Sequence, residues 1–318
     1  PDDVARVSPV EASARTLAHL REAWDAEFPE PLAEQEVVLT VPASFDEVAR
    51  ELTVEAARAA GLPNPILLEE PQAAFYAWLV AHERDWRKRV EATPLVLVVD
   101  VGGGTSDFSL IAARVSRGEL GLERVAVGDH LLLGGDNMDL ALARAAEARL
   151  LPGGQLDTAR FHGLTSQCRA AKEQLLADPV QAPVRIAVAG RGGSVVGGAL
   201  ATTLDRAEVD AVVLDGFFPP VDADARPRRA AGLGLREFGL PFAADPEITR
   251  HLAEFLDRQR AAAGEDARAL VRPDAILFNG GALEPSTVRE RIAGIVRAWH
   301  APDRSWRPMV LESASWSG

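Results

Sequence analysis

Three glycines between two aspartates form the segment best suited to chemistry. The run Asp100–Asp107 reads Asp-Val-Gly-Gly-Gly-Thr-Ser-Asp and follows the apolar stretch Leu95–Val99. Consecutive glycines allow a tight turn, and successive N–H groups in such a turn bind anions such as phosphate. A carboxylate at the strand end, Asp100, could sit beside Mg²⁺, which takes one or two carboxylates together with phosphate oxygens. The same residues also fit a glycine hairpin turn with a capping aspartate, and both interpretations stay open at this point.

Two common phosphate motifs are excluded for this segment. No Lys-Ser or Lys-Thr pair follows the glycines, so it is not a P-loop. The glycines lead into a strand rather than a helix, so it is not the dinucleotide-binding fingerprint either.

Two later glycine pairs could contribute to the same kind of site. Gly134 and Gly135 precede a helical stretch, where exposed backbone N–H groups would attract an anion. Gly280 and Gly281 separate a short strand from a helix, and flat glycine backbone there could accept the face of an adenine or a ribose. Each pair taken alone is more often an ordinary turn.

Two charged residues complete the candidate set. Glu70 follows Glu69 at a helix N-terminus and could act as a base toward a water, although acids are common there because of the helix dipole. Lys172 shares a helix with Arg169, a pattern typical of a solvated face. The histidines show no pair at metal-ligand spacing, so the sequence predicts no metal held by histidine.

Alternating helical and strand patterns place these residues in an α/β fold. Helices are expected to begin after Ser8 and Ser44, each the first residue of a capping box. The predicted strands are 37–41, 66–68, 95–100, 108–115, 122–127, 275–278 and 309–311, with a hairpin of 184–188 and 194–200. The predicted later helices are 136–151, 163–177, 205–217, 245–263 and 286–299, and the best loop candidate is 219–240.

Composition excludes several classes of protein. The 318 residues carry 47 acidic and 34 basic side chains, a net charge of −13, which argues against non-specific nucleic-acid binding. No apolar run approaches the roughly 18 residues that a membrane helix needs. A single cysteine, Cys168, cannot form an intrachain disulfide, and a buried inert thiol is expected.

Taken together and in order, these segments resemble the ATPase domain of the DnaK-type 70-kDa heat-shock chaperone family, within the actin/hexokinase superfamily. The resemblance is carried by the Val-Pro-Ala turn, the Glu-Pro segment, the glycine triplet, the Leu-Gly-Gly segment, the helix with Lys172 and the Gly-Gly loop. In this sequence they are Val38–Ala43, Leu67–Ala74, Asp100–Asp107, Leu133–Asp139, Cys168–Leu175 and Leu277–Val288.

The resemblance implies a site for ATP or ADP with Mg²⁺. Gly102, Gly103, Gly104 and Thr105 would cradle the β- and γ-phosphates, and Asp100 would sit by the Mg²⁺ and its waters. Glu70 would lie near the attacking water. Gly134 and Gly135 would approach phosphate and ribose, and Lys172 would reach the ribose. Gly280 with Gly281 would line the adenine slot.

Three departures from the family pattern fall on the adenosine side. Arg169 stands where the family usually has an acid that contacts ribose, and Leu176 where a small hydroxyl residue often touches adenine. Ala282-Leu283-Glu284 replaces the family's Ser-x-Arg. We therefore expect the adenosine pocket to differ from the family more than the phosphate loop does.

The resemblance also predicts an actin-like, ribonuclease H-like fold with one complete lobe and the C-terminal half of the other. Residues 1–93 would belong to lobe I, 94–133 and 271–318 to the core of lobe II, and 134–270 to its outer subdomain. The family's first phosphate loop and catalytic lysine lie N-terminal to this sequence. We therefore expect weak or absent ATP hydrolysis by this chain alone. We also expect residues 1–90 to be less protected than 94–318, or to self-associate through an open sheet edge.

The expected partners are a nucleotide and, through a parent protein, protein clients or co-chaperones in the cytoplasm, with no nucleic acid and no membrane. Two alternatives remain open. One is a nucleotide-binding pseudo-ATPase that serves as an interaction module, and the other is a small-molecule kinase of the same superfamily.

Overall fold

The structure is a computed structural model that describes residues 6–116, 119–178, 180–189, 198–228, 236–237, 240–241, 244–260, 270–300 and 306–311. The chain divides into two compact units, Pro1–Val80 and Ala81–Gly318. Both combine helices with strands, as predicted for an α/β protein.

The first unit contains a two-stranded parallel sheet with helices between and around its strands. Its elements are α1 (Pro9–Glu27), β1 (Val38–Val41), α2 (Glu47–Ala59), β2 (Ile66–Glu69) and α3 (Glu70–Ala81), which ends one residue beyond the unit. The cap of α1 is confirmed, because the Ser8 side chain accepts a hydrogen bond from the Glu11 N–H. The cap of α2 is not Ser44 but Asp46, whose carboxylate lies 2.8 Å from the Ala49 nitrogen. Both residue types cap helices, so composition alone could not decide between them.

The second unit is built on a five-stranded mixed sheet. Its strands run in the order β11 (Met309–Leu311), β10 (Ala275–Asn279), β3 (Leu95–Val101), β4 (Ser106–Ser116) and β5 (Glu119–Val127). Strand β10 is parallel to both of its neighbours, whereas β3, β4 and β5 form the predicted antiparallel meander. The elements are α4 (Trp86–Ala92), β3 (Leu95–Val101), β4 (Ser106–Ser116), β5 (Glu119–Val127), α5 (Gly135–Leu150), α6 (Thr158–Ala177), β6 (Val184–Val188), β7 (Leu200–Leu204), α7 (Arg206–Val213), β8 (Arg236–Glu237), β9 (Leu240–Pro241), α8 (Ile248–Arg258), β10 (Ala275–Asn279), α9 (Ser286–Trp299) and β11 (Met309–Leu311).

The core of this unit lies between the sheet and the helices that cover it. Val96, Leu97, Val98 and Val99 of β3 are all at most 1% exposed, as their uninterrupted apolar run predicts. Leu142 of α5 belongs to the same buried cluster as Leu97 and Val99. Asp100 therefore lies near the end of a strand whose central residues are buried.

Several predicted boundaries shift. The second strand of the hairpin is β7 at Leu200–Leu204 rather than 194–200, and residues 194–197 lie outside the described residues. The glycine at 198 disfavours a strand at that position, whereas the burial along Leu200–Leu204 alternates and Leu204 is buried. Helix α6 begins at Thr158, because the Asp157 carboxylate caps it by accepting from the Arg160 N–H.

Other boundaries differ by smaller amounts. Helix α7 ends at Val213, short of the predicted 217, and α8 spans Ile248–Arg258 within the predicted 245–263. The predicted loop at 219–240 lies partly outside the described residues, and so do positions 261–263 of the predicted helix. Among the helices in the described ranges, none is both long enough and apolar enough to cross a bilayer.

Candidate functional site

The glycine triplet forms a tight connection between β3 and β4. Asp100 and Asp107 face each other across these two antiparallel strands. The Gly102 N–H donates to the Thr105 carbonyl at 2.9 Å and closes the turn. Gly103 and Gly104 lie exposed at its tip. The predicted strand–turn–strand arrangement is thus confirmed, and this connection is called the glycine turn below.

The N-terminus of α5 holds the glycine turn by its carbonyl groups. The Gly135 N–H donates to the Gly102 carbonyl at 2.9 Å, and the Asp136 N–H donates to the Gly103 carbonyl at 2.7 Å. In a trans peptide the C=O and the following N–H point in opposite directions. The N–H groups of Gly103 and Gly104 therefore point away from α5. Within the described ranges, no hydrogen bond of the protein uses either of them, so they can receive an anion.

The close approach of α5 to the turn requires Gly134. A Cβ at this position would lie 2.5 Å from the Gly103 oxygen and 2.7 Å from the Gly102 oxygen, closer than van der Waals contact allows. The expectation that the N–H groups of this glycine pair are exposed is wrong. The Gly134 N–H donates to Asn137 Oδ1 at 2.8 Å, and the Gly135 N–H is engaged by the turn. The Gly134 N–H thus caps its own helix and the Gly135 N–H holds the glycine turn, so neither is free to form a separate anion site.

Asp100 stands at the end of β3, where neighbouring strand ends surround its carboxylate. Asn279 of β10 pairs with it in register and donates from Nδ2 to Asp100 Oδ2 at 2.7 Å. Burial raises the pKa of Asp100 above its ordinary value, and the charge of Asp107 raises it further, while the Asn279 hydrogen bond opposes the rise. Among the described residues no cluster of three or more potential metal ligands occurs. A single carboxylate is nevertheless enough for Mg²⁺ when phosphate and water supply its other ligands.

Lys172 is buried rather than on a solvated face. Its residue is 7% exposed, and its ammonium forms an ion pair with Asp139 of α5, Nζ to Oδ1 at 2.7 Å. Asp139 is 1% exposed, and its other oxygen accepts from Arg169 Nε at 2.7 Å. Arg169 also pairs with Asp136. The hydrogen bond that Arg169 donates to Asp139 is the main reason that the pKa of Arg169 is raised above its ordinary value.

The loop after β10 is fixed at both of its ends. Gly280 has φ +88°, and a Cβ there would lie 2.3 Å from the Val101 oxygen, so the loop packs directly on β3. A 3₁₀ turn follows at Gly281–Leu283. Arg289 of α9, only 9% exposed, donates to the carbonyls of Leu283 and Glu284.

These segments surround one cavity of about 730 Å³, a size typical of small-ligand sites. Five predicted site residues line it. They are Gly102, Gly103, Gly135, Lys172 and Gly281. The cavity runs from the glycine turn along one face of α6, past Glu173 and Leu176, to the 3₁₀ turn and the start of α9.

Six predicted site residues do not line this cavity. Gly104 and Thr105 belong to the glycine turn, Gly134 and Gly280 hold neighbouring segments close together, and Asp100 stands at the base of the turn. Glu70 is the first residue of α3 in the first unit, after Glu69, which is ion-paired with Arg50 at 2.8 Å. Its role stays a prediction.

Sequence reasoning missed three residues that shape the site. Asp139 neutralises Lys172, Asn279 holds Asp100, and Arg289 fixes the 3₁₀ turn. The available signal was weak but present for Asn279, a polar residue that directly follows four apolar residues of a buried strand. For Asp139 and Arg289 the local helical pattern gives no such signal.

Comparison with known proteins relates the chain to one family. The model described as Hsp70 protein matches residues 3–217. The chaperone protein HscA homolog of Variovorax paradoxus is 33% identical over 288 residues, which cover 87% of this chain and 41% of that protein. The homolog of Bordetella pertussis is 34% identical over 233 residues, 72% of this chain and 33% of that protein. For Pseudomonas aeruginosa the identity is 35% over 230 residues, with the same coverage of 72% and 33%. The chain therefore spans a third to two fifths of the length of these relatives.

Proposed function

Because the chain belongs to the Hsp70 family, we propose that it is the ATP-binding part of a chaperone-like ATPase and that its cavity receives the nucleotide. The observation that carries the proposal is the glycine turn, whose outward N–H groups are oriented by α5 at the end of this cavity. Phosphoryl chemistry depends mainly on positioning and charge stabilisation, and this arrangement supplies positioned donors.

Each element of the site would meet a different part of the nucleotide. Gly102, Gly103, Gly104 and Thr105 would cradle the β- and γ-phosphates. Asp100 would hold Mg²⁺ and its waters, and a bound Mg²⁺ would neutralise phosphate charge. Gly134 and Gly135 would approach phosphate and ribose.

Toward the adenosine end, Lys172 would approach the ribose from α6, and Gly280 with Gly281 would border the adenine. Glu70 would lie near the attacking water. Arg169 and Asp136 form an ion pair and both line the same cavity, which supports an adenosine pocket that differs from the family pattern.

The activity of the whole protein is a further step of the proposal. The relatives are named chaperones, and this chain covers 33% of the Bordetella protein, so hydrolysis and client binding are assigned to the parent protein rather than to this stretch. In that protein, ATP binding and hydrolysis would be coupled to protein clients and co-chaperones in the cytoplasm. None of the three relatives is named as a pseudo-ATPase or a small-molecule kinase, so neither alternative gains support.

Calorimetric titration of ATP and ADP, each with Mg²⁺, tests the proposal. We expect saturable binding that Asp100→Asn weakens and Gly281→Trp abolishes by filling the cavity. Two matched controls should bind like the unmodified chain: Asp222→Asn, at an exposed aspartate, and Gly294→Trp, where nothing lies within 4 Å of the added Cβ. Absence of binding by the unmodified chain, or equal losses in the controls, would refute a nucleotide site formed by this chain.

The first unit supports the proposed self-association. Its parallel sheet has two strands, and the paired residues Val38 and Ile66 are each 49% exposed. Parallel strands are normally covered on both faces, which these two strands are not. The backbone N–H and C=O groups at an edge strand of this sheet could also pair with another chain. Amide exchange is expected to be faster in 6–80 than in β3 and β10, or to slow as protein concentration rises. Uniformly slow exchange in a strict monomer would contradict this expectation.

A further inference from the structure

Asp100 is held from β10 by a neutral donor. Asn279 lies opposite Asp100 in the parallel pair of β10 and β3, and its Nδ2 is 2.7 Å from Asp100 Oδ2. The other carboxylate oxygen, Oδ1, faces Gly280, where an added Cβ would come within 2.7 Å of it. The last residue of β10 and the glycine after it therefore fix the position of both oxygens.

The chemistry of the donor matters as much as its distance. A lysine or arginine at this position would cancel the charge of Asp100, whereas a carboxamide donates a hydrogen bond and leaves the negative charge in place. A hydrogen bond to a charged acceptor is also stronger than one between neutral groups. Within the described ranges, the hydrogen bond that the Asp100 carboxylate accepts comes from Asn279.

We propose that Asn279 is a positioning residue, which orients the Asp100 carboxylate toward a cation bound with the nucleotide phosphates. This inference rests on the proposed function. It differs from a purely structural role for Asn279, because β10 needs no amide at its last position to keep its backbone pairing with β3. The side chain of a strand-end asparagine without such a role would point to solvent, but Asn279 is half-buried against Asp100.

A double-mutant cycle tests whether Asn279 acts through Asp100. ADP affinity is measured with Mg²⁺ and with a chelator, and the ratio gives the Mg²⁺-dependent part of binding. Asn279→Leu preserves the side-chain size and removes the donor, so we expect this ratio to fall about tenfold while Mg²⁺-free binding stays within about twofold. In an Asp100→Ala background the same change should have no further effect. Equal losses with and without Mg²⁺, or full additivity with Asp100→Ala, would overturn the proposal.

A second measurement needs no nucleotide. In the unliganded protein, solvent exchange of the Asn279 side-chain amide protons is followed by NMR. We expect one of the two protons to be protected, and Asp100→Ala to remove that protection, whereas Asp107→Ala should not. An unprotected amide in the unmodified chain would refute the positioning role even where nucleotide binding is intact.

The two measurements also separate the two proposals. A chain that binds no ADP but shows the protected amide refutes the proposed function and leaves the side-chain geometry supported. Should Asn279→Leu unfold the protein in urea more easily than the unmodified chain, Asn279→Ala takes its place in the cycle.

Discussion

Gly280 packs so closely on the end of β3 that a single added methyl group is expected to destabilise the protein. Gly280→Ala would place a Cβ 2.3 Å from the Val101 oxygen, 2.5 Å from its carbonyl carbon and 2.7 Å from Asp100 Oδ1. Two of these atoms are backbone of a strand whose Val101 is fully buried, so they cannot swing aside. The backbone at 280 also has φ +88° and ψ 142°, a region that is essentially reserved for glycine.

Two costs add to give the expected magnitude. The backbone conformation costs roughly 1–3 kcal/mol for a residue with a side chain. Overpacking of a well-packed region costs about 1–3 kcal/mol more. We therefore expect Gly280→Ala to lower the free energy of unfolding by about 2–6 kcal/mol.

Urea denaturation with linear extrapolation measures the loss, and the next residue provides the control. Gly281 has nothing within 4 Å of an added Cβ and lies in a 3₁₀ turn, so Gly281→Ala should change stability by no more than about 0.5 kcal/mol. Amide exchange of β3 should rise in the first variant and not in the second. Equal effects at 280 and 281, or a loss below about 1 kcal/mol at 280, would refute the packing argument.

Three further predictions concern buried groups of the second unit. Asp139→Asn leaves the buried Lys172 without its carboxylate and should cost about 3–5 kcal/mol of unfolding free energy, whereas Asp136→Asn, at a side chain that is 55% exposed, should cost less than about 1 kcal/mol in the same urea assay. Comparable losses would contradict the burial argument. His300 is 8% exposed, and burial, with the nearby charge of Arg272, lowers its pKa from 6.5 to about 4. Between these values the unfolded chain binds the proton and the folded chain does not, so about 2 kcal/mol of stability should be lost from pH 7 to pH 5, and His300→Phe should lack this part of the pH dependence. Cys168 is fully buried, and burial raises its pKa to about 12, with Asp139 adding to the rise, so Ellman's reagent should react with it only after denaturation.

Local patterns predicted most elements because the strongest signals are local. The apolar run at Leu95–Val99 can be buried on both faces in one strand, and it forms the centre of the larger sheet. The strands at 37–41 and 66–68 were likewise found within one or two residues. At Ser44 the prediction failed because two neighbouring residues, Ser44 and Asp46, have similar capping chemistry, and Asp46 is the one that caps α2. In the described part of the hairpin the second strand begins only at Leu200, after the glycine at 198.

The site was harder to predict than the elements, because its decisive contacts join residues far apart in the chain. Lys172 sits in a helical pattern that also suits a solvated face, and only the contact with Asp139, on another helix, explains its burial. Similarly, nothing near Gly134 and Gly135 in the sequence reveals that their N–H groups are already engaged. Glycines at a helix N-terminus indicate backbone N–H groups that could bind an anion. Which group accepts their hydrogen bonds is decided by the tertiary fold.

The hydrogen bonds between α5 and the glycine turn join two glycine motifs that lie about thirty residues apart in the chain, and both belong to the proposed nucleotide site. A helix N-terminus could bind phosphate directly, but here its first N–H groups bind the carbonyls of Gly102 and Gly103. Each of these bonds fixes the direction of the next N–H in the turn, so α5 orients the N–H groups of Gly103 and Gly104 away from itself. The turn has no side chains at its three glycines, and α5 can approach it only because residue 134 also lacks one. A Cβ at 134 should push α5 away from the turn, disturb the orientation of its N–H groups and so weaken phosphate binding. Residue 134 would have this effect although it does not itself line the cavity.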